Sequence, residues 1–119
     1  MIAQLIMRLF HARTTAHVQH LVTTSHAKHV ALQRFYEGII EITDSLAEGY
    51  QGEHGVIDFS GSYRYVHEED PIKAISDLKE WIEKNRYDAI EAEDTFLHNV
   101  VDEVVLLCSG TLFLLKRLK

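Results

Sequence analysis

Apolar residues recur at helical spacing from the start of the chain: Ile2, Leu5, Ile6, Leu9 and Phe10, continuing through Ala16, His17, His20 and Leu21. Positions i, i+3, i+4 and i+7 share one face of an α-helix, so this segment predicts a helix with a single buried stripe. Thr23-Thr24-Ser25 breaks the pattern and offers an N-cap to a second helix, predicted from about His26 to Tyr50. Its apolar residues, among them Val30, Leu32, Phe35, Ile39, Ile40, Ile42 and Leu46, cover more than one face, which predicts burial on two sides.

Residues 51–70 differ in texture. Ile57 and Phe59 alternate with polar residues, as do Tyr63 and Tyr65 around Ser60-Gly61-Ser62, a pattern that predicts an ordered loop or a short hairpin. No strand–glycine-loop–helix arrangement surrounds these glycines, so a phosphate loop is not expected. Asp70-Pro71 then marks a helix start, with Asp as N-cap and Pro as first helical residue. Ile72, Ile75, Leu78, Trp81 and Ile82 form its stripe, which fades near Asn85. A last segment carries Ile90, Leu97, Val100, Val101, Val104, Leu107, Cys108, Thr111, Leu114, Leu115 and Leu118 at helical spacing, with Lys116, Arg117 and Lys119 suited to a helix C-terminus. Ser109-Gly110 could instead turn a β-hairpin, but the unbroken stripe favours helix. The expectation is an all-α chain: a single domain over residues 1–119, built as an up-and-down four-helix bundle.

Composition agrees with a folded domain. Of 119 residues 46% are hydrophobic and 25% charged, enough apolar surface for one core. Cys108 is the only cysteine, which excludes an internal disulfide framework, and it sits in an apolar stripe. The run from Val104 to Leu115 is interrupted and short for a bilayer, and Arg8, His11 and Arg13 break any secretion-signal pattern. A soluble, cytoplasmic protein without a membrane partner is the expectation. Charge is segregated: residues 1–36 contain no acid, whereas residues 37–103 hold all 18 acids against five bases. With a net charge of −6, this disfavours non-specific nucleic-acid binding.

The chemistry is concentrated in histidine. Five of the eight, His11, His17, His20, His26 and His29, lie between residues 11 and 29. A hairpin turning near residue 23 would set His17 level with His29, and His20 level with His26 as a second rung. Two imidazoles at one height make half of a metal site. Along the second helix, at about 100° per residue, His29, Gln33, Glu37, Asp44 and Glu48 fall on one stripe. Asp44 and Glu48, spaced i,i+4, can aim two carboxylates at one ion, and hard oxygen donors suit iron or manganese. His29 and Asp44 are roughly 22 Å apart along the helix, too far for one chain to close a site. Two antiparallel copies would bring the histidine end of one against the carboxylate end of the other, giving two equivalent sites at a two-fold interface. Asp94, His98 and Asp102 form another i,i+4,i+8 stripe, read as surface charge with a second metal site as the alternative.

Ala16-His17, the step of twelve to His29, four more to Gln33, and Asp44-Ser45-Leu46-Ala47-Glu48 together resemble the metal motif of the Dps-like mini-ferritins. Phe113-Leu114-Leu115-Lys116 is similar to that family's last helix. The resemblance implies a ferritin-like bundle with a ferroxidase-type iron site, His17 and His29 coming from one chain and Asp44 and Glu48 from its partner. It also implies a homo-oligomer, a two-fold dimer at least and a dodecameric shell at most. Gln33 stands where the family has aspartate, and Val18 where a tryptophan is common. Without a lysine-rich stretch ahead of the first predicted helix, the DNA binding of some members is not expected. These departures suggest a compact, divergent branch of the phage-encoded kind. They leave open another divalent metal, or a helical assembly protein that has lost iron chemistry.

Overall fold

The structure, a computed structural model, describes residues 1–64 and 66–118. Tyr65 and Lys119, assigned above to a possible hairpin and to the helical C-terminus, lie outside the described residues. Four helices make up the regular structure: α1 (Ile2–Val22), α2 (His26–His54), α3 (Pro71–Ala89) and α4 (Thr95–Arg117). The chain is all-α, with no strand among the described residues, so the short-hairpin form expected within 51–70 is not adopted there.

Local chemistry fixes the helix ends. Thr23 closes α1 by donating its N–H to the Gln19 carbonyl, and the Ser25 side chain opens α2 by accepting from the Lys28 N–H at 3.2 Å. Gly55, at φ +90°, ends α2 in a conformation that disfavours a side chain. Asp70 caps α3 by accepting from the Ile72 N–H at 3.0 Å, with Pro71 behind it as expected. α4 passes through Ser109-Gly110 without a break. A glycine costs a helix only about 1 kcal/mol against alanine, less than the burial of the stripe around it contributes.

α2 packs on α1 and α4, and α3 also packs on α1 and α4; between the diagonal pairs no two Cα atoms come within 8 Å among the described residues. α2 and α4 approach closely because Gly38 and Gly49 stand opposite Leu107 and Leu97, at 3.3 and 3.2 Å from where a Cβ would be. Gln19 near the end of α1 meets Glu68 just before α3, while Arg8 near its start meets Trp81. α3 is therefore antiparallel to α1. His54 at the end of α2 meets Asp94 at the start of α4, so those two are antiparallel as well. Residues 55–70 must then carry the chain from one end of the bundle to the other. At about 3.3 Å per residue that segment reaches roughly 50 Å, sufficient for a molecule 43 Å long. Ile57 pins it, buried and donating its N–H to Gln51 Oε1 at 3.0 Å. The helix order is thus not a ring of short hairpins: α1–α2 and α3–α4 are hairpins, joined by one long crossover. Periodicity within each helix could not show this, because it says nothing about which helices are neighbours.

The core is one cluster that includes Leu5, Leu9, Leu32, Phe35, Ile39, Leu46, Ile82, Val101 and Val104. Burial pushes the Cys108 thiol up to about 12, which keeps it protonated and inert. By length and composition α4 is apolar enough to cross a membrane, more than its interrupted apolar run indicated. In this fold Leu97, Val101, Val104, Cys108 and Leu115 face inward from it.

Candidate functional site

The histidines gather where α1 turns into α2, in a different register from the one expected. Thr23 ends one helix and Ser25 caps the next, so the hairpin pivots about Thr24 and Ser25 rather than residue 23. The shift brings His20, not His17, onto His29: their rings stack at 3.6 Å between centroids. His17 instead stacks on Tyr36 at 4.2 Å, and Tyr36 meets His20 edge-on at 5.2 Å. His26, the expected partner of His20, is exposed.

Two hydrogen bonds make the pair reciprocal. His20 Nδ1 bonds the His29 carbonyl at 2.7 Å, and His29 Nδ1 bonds the His20 carbonyl at 2.8 Å. A carbonyl oxygen only accepts, so both Nδ1 atoms are donors, and in the neutral rings both Nε2 atoms keep a lone pair. The His20 carbonyl belongs to the last turn of α1 and has no partner within that helix; His29 supplies one. An imidazole oriented by Nδ1–H···O=C is also the usual state of a metal-ligating histidine.

Gln33, Glu37, Asp44 and Glu48 are exposed on α2, with Gln33 Nε2 donating to Glu37 Oε1 at 3.0 Å. Asp44 and Glu48 each lie eleven residues beyond Gln33 and Glu37 respectively, several turns from the imidazoles. Among the described residues no three His, Cys, Asp or Glu side chains converge as a metal-holding group. Nor could His20 and His29 hold one ion together as drawn: in-plane lone pairs of stacked rings do not meet. A single chain carries imidazoles at one end of α2 and the carboxylates of Asp44 and Glu48 towards the other.

The stripe Asp94, His98, Asp102 resolves into two partnerships, one of Asp94 with His54 and one in which Arg86 serves both His98 and Asp102. Asp94 pairs with His54 at 2.7 Å. His98, 7% exposed, accepts from Arg86 Nε at its Nδ1 (3.1 Å) and donates from Nε2 to the Ile90 carbonyl (3.2 Å). Arg86 also donates to the His98 carbonyl at 2.9 Å and pairs with Asp102 at 2.8 Å, while Tyr87 stacks on the His98 ring at 4.4 Å. This is a polar clasp between α3 and α4, and its central residue, Arg86, has no periodicity signal that would have singled it out.

An all-α bundle of two helical hairpins, joined by one long crossover and with four of its eight histidines flanking one hairpin turn, is the class that fold and site define. The chain belongs to the family described as "Family of unknown function (DUF5856)", which matches residues 20–115. That match includes His20, His29, Asp44 and Glu48 and begins after His17. No curated protein and no solved structure matches the chain.

Proposed function

We propose that this protein is a Dps-like, ferritin-like iron binder whose ferroxidase-type centre forms between two chains related by a two-fold axis, with Fe(II) as substrate. The observation that carries the reading is the face of α2. His29 at one end and the exposed pair Asp44 and Glu48 towards the other share a stripe, at a separation only an antiparallel second copy can close. Two further features support it. A single long crossover between the second and third helices is the connectivity of ferritin-like bundles. The Nδ1 bond of His29 leaves its Nε2 lone pair for a ligand.

In this reading Asp44 and Glu48 of one chain bind Fe(II), and their oxygens favour the ferric product because hard donors stabilise the higher charge. His29 and His17 of the other chain complete the set, His17 after leaving its stack on Tyr36. Dioxygen or peroxide accepts the electrons. Gln33, neutral and bonded to Glu37, contributes no charge to the imidazole half. A two-fold dimer is the least assembly that serves, and a dodecameric shell is its extension.

A second reading is favoured by that Gln33–Glu37 bond and by the stacking of His17 on Tyr36. Both side chains then have structural partners, and the family scaffold serves as an assembly module, its oligomer indifferent to iron and to chelators. Anaerobic Fe(II) titration calorimetry, followed by admission of air or peroxide with absorbance recorded in the ferric-oxo band, separates the two. The iron reading predicts roughly one or two tight ions per chain and rapid oxidation. Both are lost in the Asp44→Ala/Glu48→Ala variant, whose fold stability stays within about 0.5 kcal/mol because these residues are exposed. Unchanged iron stoichiometry in the double variant rejects the iron site, and no binding by the parent chain selects the assembly module.

A further inference from the structure

A groove between α1, α3 and the crossover has no part in the iron reading, since none of His17, His29, Asp44 or Glu48 lines it. It encloses about 300 Å³ and adjoins a second cavity of about 300 Å³, with Arg8, His11 and Arg64 shared between their walls. That volume is at the lower end for small-molecule sites.

The deepest polar group is Gln19, 2% exposed. Its Nε2 donates to the Glu68 carbonyl at 2.7 Å, and because a carbonyl only accepts, this bond fixes which end of the amide is oxygen. Gln19 Oε1 is buried with no hydrogen-bond partner. An unsatisfied buried acceptor costs about 1–3 kcal/mol, a cost that a donor brought in from outside removes.

The charges point to the rest of the ligand. Lys73 is occupied by Asp77 at 2.8 Å and Glu68 at 3.5 Å. Arg8 lies over the Trp81 ring at 4.8 Å, which holds the guanidinium at the rim where the two cavities meet. Arg64 is exposed and makes no ion pair among the described residues. A protein with net charge −6 thus keeps surplus positive charge at this groove.

We propose that the groove binds a small organic phosphate or carboxylate that also carries a hydroxyl or amino group. Arg8 and Arg64 take the anion, and Gln19 Oε1 accepts from the donor. Neither half alone satisfies the site: a bare anion leaves the amide oxygen unpaired, and a neutral polyol leaves the arginines unused.

The test is calorimetric titration of the full chain, without metal, using glycerol 3-phosphate as the probe and inorganic phosphate and glycerol as its separate halves. Saturable binding of glycerol 3-phosphate is expected, with each half binding about tenfold more weakly or worse. Arg64→Ala weakens binding by about tenfold at unchanged melting temperature, because the side chain is exposed and unpaired. Gln19→Met, checked for fold by circular dichroism, weakens glycerol 3-phosphate and leaves inorganic phosphate unaffected. The proposal is overturned by the absence of saturable heat up to about 10 mM probe, or by equal affinity in the parent and Arg64→Ala chains. A crystal structure in which a fixed water stays on Gln19 Oε1 with the probe present would overturn it as well.

Discussion

Two helical hairpins in this bundle are each tied by a histidine, and they use it in opposite ways. Between α3 and α4, His98 has both ring nitrogens engaged, one by Arg86 and one by the Ile90 carbonyl. Between α1 and α2, His20 and His29 engage only Nδ1, each on the other's carbonyl. The first arrangement is closed and structural. The second holds the chain turn together and still leaves two nitrogen lone pairs for another role. Residue type does not distinguish them; the number of ring nitrogens with partners does.

The largest effect that sharpens the contrast is expected at Arg86. Arg86→Ala leaves His98 Nδ1 and the His98 carbonyl without their partner and removes a half-buried ion pair, so it should destabilise the fold by about 2–4 kcal/mol. Urea denaturation measures this, and iron binding per folded chain should not change. A change in iron stoichiometry would erase the distinction between the two hairpins.

His20→Ala should cost less, about 1–3 kcal/mol, because one hydrogen bond, the stack on His29 and the edge-on contact with Tyr36 are lost, and no ion pair is broken. Unlike Arg86→Ala, it should also weaken Fe(II) binding, since the His29 ring loses the neighbour that holds it flat. Equal iron affinity in parent and variant would confine the pair to a structural role.

The smallest effect is one of reactivity. Diethyl pyrocarbonate attacks an unprotonated imidazole nitrogen, so peptide mapping should show His29 modified about tenfold or more faster than buried His98. Comparable rates would mean that the α1–α2 pair is as closed as the α3–α4 clasp.

Much of this was legible in the sequence because the helices are strongly periodic and well capped. Ser25 and Asp70-Pro71 announce two helix starts, and the stripe from Leu97 to Leu115 fixes α4 through its glycine. The shared face of His29, Asp44 and Glu48 follows from 3.6 residues per turn within one helix. Features that depend on two segments meeting were not legible. A pivot displaced by one or two residues moved the partner of His29 from His17 to His20. The long crossover hid behind composition that fits any loop. Arg86 and Gln19 are polar residues on amphipathic helices, and their burial depends on which helix lies alongside.

The central claim is that the metal centre is shared between chains, and mixing two defective variants tests it most directly. His29→Ala lacks the imidazole half and Asp44→Ala/Glu48→Ala lacks the carboxylate half, so neither should oxidise Fe(II) alone. When the two are unfolded together and refolded as a mixture, half of randomly paired dimers are mixed, and each mixed dimer has one intact site. About a quarter of the parent Fe(II) oxidation should return. Recovery near that level establishes a shared centre; no recovery, in a mixture shown by mass spectrometry to contain the mixed dimer, contradicts it.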